Sequence, residues 1–177
     1  MSYGDEHYMQ LCHELALKGN GNVAPNPMVG AVIVHKGQII GTGYHEFFGG
    51  PHAEVNAINA VTDKSVLKDS VIYVNLEPCS HFGKTPPCAD LLVLHQLKRV
   101  VIGCDDPNPL VSGKGTARLR TAGIEVTTGV MEKESRELNR RFITALEKKR
   151  PFITLKWAQT GDGFLDRIRL TPAQLPE

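Results

Sequence analysis

The sequence predicts a three-layer α/β/α protein in which helices cover both faces of a mixed, roughly five-stranded sheet. Two strand-like segments, 28–35 and 38–45, are separated by a short turn at Gly37, which is typical of an antiparallel hairpin. Beyond the hairpin, apolar strand-like runs alternate with helix-like runs. This alternation favours a sheet with helices packed on both of its faces.

The first helix is expected over residues 5–18. Its apolar residues recur at helical spacing, Asp5 is a suitable N-cap, and Gly19 is a natural stop. The hairpin strand 28–35 is apolar almost throughout, which suits a strand that is buried on both faces. The return strand 38–45 leads into a loop rich in glycine.

The rest of the chain is expected to alternate between helices and strands. Glycines and prolines mark several of the boundaries, and the last helix has a stripe of apolar residues at helical spacing. The predicted helices lie at 52–63, 88–96, 113–123 and 130–149, and the predicted strands lie at 70–76, 99–104 and 124–128.

Composition and charge exclude several classes of protein. The 177 residues are 41% hydrophobic and 22% charged, as in ordinary globular proteins. No apolar run approaches the length of about 18 residues that indicates a membrane span, and the N-terminus lacks the features of a secretory signal. We therefore expect a cytoplasmic protein without a membrane partner. The formal net charge of +1 argues against a nucleic-acid partner.

One histidine and two cysteines form a pattern that suits a metal ion. His52 precedes a predicted helix, and Cys79 and Cys88 flank a loop that contains proline and glycine. Three nitrogen and sulfur ligands fit a catalytic zinc, because the fourth tetrahedral position then stays open. The sequence therefore predicts one Zn²⁺ held by His52, Cys79 and Cys88.

Glu54 lies two residues after His52 and is the candidate proton carrier. Residues i and i+2 point to different sides of a helix, about 200° apart, so these side chains can share a site only above a helix N-terminus. The sequence Gly-Gly-Pro at 49–51 predicts such an entry into a helix. A carboxylate beside zinc suits acid–base catalysis, in which water attacks a ring carbon that bears an amino group.

The residues alone leave other interpretations open. Cys79 and Cys88 could form a disulfide, although cytoplasmic proteins rarely keep one. His52 could be an ordinary histidine with satisfied hydrogen bonds. A zinc ion with a structural role is a further alternative, although a structural site would favour four protein ligands over the three found here.

Four further polar residues are expected near the metal site. Asn26, Asp106 and Asn108 each precede a proline, which favours an extended backbone that presents the side chain. His45 ends the second predicted strand. Ligands of such sheets bind at the carboxyl ends of the strands, although Asn26 and His45 taken alone could equally be ordinary loop or surface residues.

Four motifs together resemble those of a known family. They are 26–30 (NPMVG), 52–54 (HAE), 78–88 and 106–109 (DPNP). On these motifs, residues 5–147 resemble the N-terminal deaminase domain of the bifunctional riboflavin-biosynthesis deaminase/reductases, within the cytidine-deaminase-like superfamily. Eight residues separate the two cysteines here. That spacing favours this branch, because other base deaminases usually place about two residues there.

The resemblance implies an activity and a set of substrate contacts. The activity is hydrolytic deamination of the pyrimidine ribotide 2,5-diamino-6-ribosylamino-4(3H)-pyrimidinone 5′-phosphate, with Glu54 as the catalytic residue. Lys84 would meet the ribose phosphate, for which a flexible ammonium is a fair partner, with His81 beside it. The positions that match the family's substrate contacts are Asn26, His45, His81, Lys84, Asp106 and Asn108.

Two other functions stay open beside this one. The first is deamination of another base, such as guanine, cytosine or a tRNA adenine. The second is a non-catalytic zinc-binding or nucleotide-binding module. Homo-oligomers are common in this superfamily, so self-association is compatible with the resemblance.

The resemblance also divides the chain. Residues 1–149 are expected to form the zinc-dependent deaminase domain, and residues 150–177 a linker and the truncated start of a reductase domain. Segment 151–163 resembles the opening strand and loop of that reductase. The remaining length is too short for a nicotinamide-binding domain, so we expect neither reductase activity nor an NADPH site in this chain.

Overall fold

Five strands form one sheet in the computed structural model, which describes residues 3–80, 86–108, 111–161 and 163. The strands are β1 (Gly30–His35), β2 (Gln38–Tyr44), β3 (Val71–Leu76), β4 (Arg99–Cys104) and β5 (Glu125–Thr128). The helices are α1 (Asp5–Leu17), α2 (Ala53–Ala60), α3 (Cys88–Leu94), α4 (Lys114–Thr121), α5 (Glu132–Leu138) and α6 (Arg140–Lys148).

The sheet is mixed, in the order β2-β1-β3-β4-β5. Strand β1 pairs antiparallel with both β2 and β3, whereas the β3–β4 and β4–β5 pairs are parallel. The carboxyl ends of β2, β3 and β4 therefore lie at the same edge of the sheet, together with the start of β1. This arrangement confirms the predicted mixed sheet that is antiparallel at its start.

Helices cover both faces of the sheet. On one face, α1 and the start of α5 pack over the middle strands, around buried side chains such as Met9, Val32 and Val101. On the other face, α2, α3 and α4 pack over a second and larger set of buried side chains, among them Ile58 and Ile72. The three predicted layers are confirmed.

The prediction of one long helix over 130–149 is wrong, because the chain forms two helices that meet at Asn139. This residue leaves helical geometry at φ −102° and ψ 20°. Its side chain accepts a hydrogen bond from the backbone N–H of Met28 at 2.8 Å and donates one to the Met28 carbonyl at 2.9 Å. Contacts to a distant segment of the chain therefore accompany the interruption of the helix.

Several other boundaries differ from the predictions. Gly4, and not Asp5, is the N-cap of α1. The helix predicted over 52–63 ends at Ala60, where Lys64 donates hydrogen bonds to the carbonyls of Ile58, Asn59 and Val61. A 3-10 helix that the sequence analysis missed follows at Lys64–Asp69.

The segment after α6 differs most from its expectation. Residues 151–161 contain neither a helix nor a strand, so the opening strand expected there is not formed. None of the helices in the described part of the chain is long and apolar enough to cross a membrane.

Candidate metal centre and active site

The three predicted metal ligands converge in the structure. Nδ1 of His52 lies 3.2 Å from Sγ of Cys88 and 3.5 Å from Sγ of Cys79. The three donor atoms all lie within 4.8 Å of one another. Side chains that are up to 36 residues apart in the sequence thus form one compact donor set.

This donor set fits a zinc ion. Zinc–nitrogen and zinc–sulfur bonds of about 2.0–2.3 Å place tetrahedral nitrogen and sulfur ligands about 3.6 Å apart. The two separations from His52 are close to that value. In addition, the backbone N–H of Cys88 donates a hydrogen bond to Sγ of Cys79 at 3.2 Å, which favours the thiolate that a metal requires. The residues therefore fit zinc with three protein ligands.

Two helix N-termini and one strand end bring these residues together. His52 is the N-cap of α2, and Cys88 is the first residue of α3. Cys79 follows the end of β3, and its carbonyl accepts a hydrogen bond from the N–H of Ala89. Glu54 lies in the first turn of α2 with only 3% of its surface exposed. The predicted meeting of His52 and Glu54 above a helix N-terminus is confirmed.

The side chains of the donor set and of Glu54 shift one another's pKa values. Hydrogen bonds from Cys88 and His52 lower the pKa of the Cys79 thiol, while the bond to Cys79 raises the pKa of Cys88. The bond to Cys79 also raises the pKa of His52 to about 9. Burial, followed by the nearby Cys79 thiolate, raises the pKa of Glu54 to about 7. A bound Zn²⁺ would favour the neutral imidazole of His52 and the ionised thiolates, and its charge would also favour the ionised form of Glu54.

A cavity of about 260 Å³ opens beside the donor set. It lies at the edge of the sheet where β2, β3 and β4 end, as expected for ligand sites of such sheets. The predicted site residues that line it are Asn26, His45, His52, Glu54, Cys79, Asp106 and Asn108. The structure therefore brings these predicted metal, catalytic and substrate residues together around one cavity. Cys88 is buried and does not line the cavity, but it joins the site through the donor set.

His45 is held in one orientation beside the ligand His52. Its Nδ1 lies 3.0 Å from the carbonyl oxygen of Pro51, and its Nε2 lies 3.1 Å from Nδ2 of Asn26. Because a carbonyl only accepts, Nδ1 carries the proton and Nε2 accepts from the Asn26 amide. The two histidine rings are 5.7 Å apart and nearly perpendicular. His45 and Asn26 thus form a polar wall of the cavity on the side of β2.

Asp106 and Asn108 form the opposite polar wall. The Asp106 carboxylate accepts a hydrogen bond from the backbone N–H of Asn108 at 2.8 Å, which is the Asx turn typical of aspartate in a loop. The Asn108 carbonyl accepts from the N–H groups of Val111 and Ser112, both at 2.8 Å. Local hydrogen bonds thus give this segment a defined shape.

Six further residues line the cavity that the sequence analysis did not assign to the site, among them Glu77 and Phe142. Glu77 follows β3 and is 3% exposed, and its position next to the Pro-Cys motif was the available signal. Phe142 reaches the cavity from α6. Phe142 belongs to the apolar stripe of the helix predicted over 130–149, and helical spacing does not tell a core residue from one that faces a cavity.

The remaining predicted substrate residues are His81 and Lys84. Both lie outside the described residues.

Comparison with known proteins gives a match over more than half of the chain. Residues 2–104 match the family described as the cytidine and deoxycytidylate deaminase zinc-binding region. The riboflavin biosynthesis protein RibD of Aquifex aeolicus is 55% identical over 91% of this chain, and the match spans 45% of that protein. The chain thus spans about half the length of such curated relatives. A diaminohydroxyphosphoribosylamino-pyrimidine deaminase of Buchnera aphidicola is 45% identical and is matched over 99% of its length.

Solved structures give the same picture. The diaminohydroxyphosphoribosylaminopyrimidine deaminase/5-amino-6-(5-phosphoribosylamino)uracil reductase of Thermotoga maritima is 51% identical, with a TM-score of 0.84 over 89% of this chain and 45% of that one. The Aspergillus oryzae Rib2 deaminase in complex with DARIPP shares the fold, with a TM-score of 0.61 at 23% identity over 82% of this chain and 95% of that one. The chain therefore belongs to the cytidine and deoxycytidylate deaminase family, in the branch of the riboflavin-biosynthesis deaminases.

Proposed function

We propose that this chain catalyses the zinc-dependent hydrolytic deamination of 2,5-diamino-6-ribosylamino-4(3H)-pyrimidinone 5′-phosphate. The products are 5-amino-6-ribosylaminouracil 5′-phosphate and ammonia. One observation carries this proposal: the donor set of His52, Cys79 and Cys88 adjoins a cavity into which the buried Glu54 also faces. Support for the substrate comes from the Buchnera relative, 99% of whose length matches 83% of this chain and whose name states that activity.

In this reaction a carbon–oxygen bond forms at the ring carbon that bears the 2-amino group, and the bond between that carbon and the amino nitrogen breaks. Zinc, when bound by His52, Cys79 and Cys88, supplies a Lewis acid that makes water nucleophilic near neutral pH. Glu54 takes the proton that water gives up and delivers it to the ring nitrogen, and it then helps ammonia to leave. Its burial keeps bulk water away from the transferred proton.

The polar walls of the cavity suit a flat, hydrogen-bonding base. Asn26 and His45 on one side, and Asp106 and Asn108 on the other, offer donors and acceptors at fixed positions. We assign these four residues to substrate binding. The volume of about 260 Å³ is below the range of about 300–1,000 Å³ that is usual for sites of drug-sized ligands, so it suits the pyrimidine portion of the substrate.

The ribose phosphate is assigned to Lys84, with His81 beside it. This part of the proposal rests on the resemblance of the loop between the two zinc-ligand cysteines to the loop of the family. A lysine ammonium is a compact charge that suits a phosphate.

We further propose that residues 1–149 form the deaminase domain and that residues 150–177 form a linker and the start of a reductase domain. In support, α6 ends at Lys148, and no helix or strand follows it over residues 151–161. Beyond it, Ile153, Leu155 and Trp157 expose 63–77% of their surface, although apolar side chains of this size are more often buried. We expect no NADPH site within these residues.

Turnover of the ribotide by the purified chain tests this function. We expect ammonia release together with about one zinc per chain, loss of both after chelation, and recovery on adding zinc. Parallel assays with guanine, cytidine and tRNA should release little ammonia. Zinc with strong turnover of one of those substrates instead would contradict the substrate assignment, and turnover that survives complete zinc removal would contradict the mechanism.

A further inference from the structure

Glu77 is a buried carboxylate that collects backbone N–H groups from another part of the chain. It follows β3 directly, and only 3% of its surface is exposed. Its Oε2 accepts hydrogen bonds from the N–H of Gly113 at 2.9 Å and of Asp106 at 3.3 Å, and its Oε1 accepts from the N–H of Thr116 at 3.0 Å. These donors lie 29 to 39 residues further along the chain.

Two of these donors, Gly113 and Thr116, lie at the N-terminal turn of α4, where N–H groups have no partner within the helix. The N-cap of that helix is Gly113, which has no side chain that could cap it. The first N–H groups of a helix need partners from outside the helix, and a negative charge there is favourable. Glu77 supplies both the acceptor atoms and the negative charge, although it lies 36 and 39 residues before these two donors in the sequence. The third donor is the backbone N–H of Asp106, so the same carboxylate also binds the segment 105–108.

Close packing connects the same two parts of the chain independently. A Cβ added to Gly115 in the first turn of α4 would overlap the carbonyl oxygen of Pro78 and lie 3.2 Å from Oε1 of Glu77. Pro78 precedes the ligand Cys79. The start of α4 therefore rests directly on the segment that carries a metal ligand, and the Glu77 carboxylate lies at that junction.

We propose that Glu77 is a positioning residue that holds the wall formed by Asp106 and Asn108 at a fixed distance from the metal ligands. The carboxylate accepts hydrogen bonds from Asp106 within the wall and from Gly113 and Thr116 at the start of α4, which follows the wall. The metal site and the substrate-facing wall then move as one unit. This inference rests on the proposed function, because it assigns substrate contacts to the wall.

Glu77→Gln tests this inference with almost no change of shape. A glutamine side chain offers one acceptor oxygen, and its NH₂ group is a donor that must face at least one backbone N–H. The wall should loosen while the ligands stay in place. We expect zinc content close to that of the unchanged chain, a KM for the ribotide raised at least about tenfold, and a kcat changed much less. The matched control is Glu14→Gln, an exposed carboxylate on α1.

Hydrogen exchange gives a readout that does not depend on activity. Amides of Asp106, Gly113 and Thr116 should exchange at least about tenfold faster in Glu77→Gln than in Glu14→Gln, whereas amides of β1 should be unaffected. A general loss of stability would instead raise exchange throughout the sheet. If Glu77→Gln does not fold, Glu77→Asp withdraws the carboxylate by one methylene group and should give the same local pattern more weakly.

A double-mutant cycle tests whether Glu77 acts through the wall. Asn108→Ala should raise the KM by itself, and adding Glu77→Gln should then raise it by much less than it does alone, because both changes act on the same wall. Multiplying effects on KM would overturn the inference, as would unchanged exchange at Gly113 and Thr116. An unchanged chain that releases no ammonia from the ribotide would instead refute the proposed function, and the exchange experiment would still decide the role of Glu77.

Discussion

At the scale of single residues, the cavity is lined by the buried carboxyl side chains of Glu54 and Glu77, whose partners lie at very different distances along the chain. His52 and Glu54 are near neighbours in the sequence, and Cys79 and Cys88 flank one loop, so their joint pattern is visible without a structure. The hydrogen-bond partners of Glu77 lie 29 to 39 residues away. No local pattern marks such a residue, because its role depends on where α4 packs.

Glu54→Gln should separate metal binding from catalysis. The amide is close to the carboxylate in shape but does not carry the proton, and positioned acid–base groups typically contribute about 10²–10⁴-fold in rate. We therefore expect zinc content to stay near that of the unchanged chain and kcat to fall at least about 100-fold. Ammonia-release kinetics and metal analysis measure the two effects, with Glu14→Gln as the charge-matched control. Near-normal turnover would remove Glu54 from the mechanism.

At the scale of elements, α2, which carries Glu54, is placed by its close contact with two glycines of β2, Gly41 and Gly43. A Cβ on Gly43 of β2 would overlap the backbone nitrogen of Ala57 and lie 2.5 Å from the carbonyl oxygen of Ala53. The alanines of α2 and the glycines of β2 thus allow helix and strand backbones to approach closely. Strand β2 and helix α2 were predicted as separate elements, and their close contact is what puts Glu54 at the edge of the sheet.

Gly43→Ala should therefore destabilise the protein through this contact. The added methyl group meets backbone, which can move aside only by shifting α2, and overpacking of this kind typically costs about 1–3 kcal/mol. Denaturant unfolding measures the loss. Gly161→Ala is the matched control, because a Cβ there meets nothing within 4 Å, and we expect a change within about 0.5 kcal/mol. Equal effects of the two changes would show that α2 does not rest on β2 as closely as described.

Asn139 shows the limit of element prediction. Helical periodicity runs across it, so residues 130–149 were predicted as one helix. The interruption depends on the hydrogen bonds of its side chain with the backbone of Met28, which lies 111 residues earlier. Those bonds also fix the backbone next to Asn26, a residue of the cavity wall.

At the scale of the whole molecule, the alternation of elements was enough to predict three layers and a mixed sheet. The order of the strands was not predicted. Alternation alone does not say that β1 lies between its hairpin partner β2 and the later strand β3. That order is what brings the carboxyl ends of β2, β3 and β4 to one edge, and with them His45, Glu77 and Asp106.

One ion pair, between Asp5 and Arg99, connects α1 to β4. The Asp5 carboxylate accepts two hydrogen bonds from the Arg99 guanidinium of β4, at 3.0 and 2.7 Å, and a third from the Tyr73 hydroxyl of β3 at 3.0 Å. Arg99 also donates to Thr127 of β5 at 2.8 Å. The hydrogen bond from Arg99 lowers the pKa of Asp5.

This ion pair predicts a pH dependence of stability. Because the pKa of Asp5 is lower in the folded chain than in the unfolded one, its contribution is fully present above the unfolded value of about 3.9 and is lost as the pH falls from there through the lower folded value. Asp5→Asn should reduce the free energy of unfolding by about 1 kcal/mol at pH 7, an estimate that allows for partial exposure. The difference between the two chains should shrink toward pH 3.

Chemical unfolding of both chains at several pH values measures this effect. Glu6→Gln is the control, since Glu6 is an exposed carboxylate in the same helical turn. A difference between Asp5→Asn and the unchanged chain that is as large at pH 3 as at pH 7 would contradict the ionic origin of the contribution.

The hydrogen bonds between Asn139 and Met28 also set an order of events during synthesis on the ribosome. The ligands His52, Cys79 and Cys88 are all translated before Asn139, whereas Met28 must wait for a partner 111 residues downstream. At about 5–20 residues per second, that wait lasts roughly 6–22 s. Cys88, the last zinc ligand to be translated, precedes Asn139 by 51 residues. A nascent chain therefore carries its complete set of zinc ligands for roughly 3–10 s before the hydrogen bonds near Asn26 can form, so metal loading can precede the assembly of the substrate pocket.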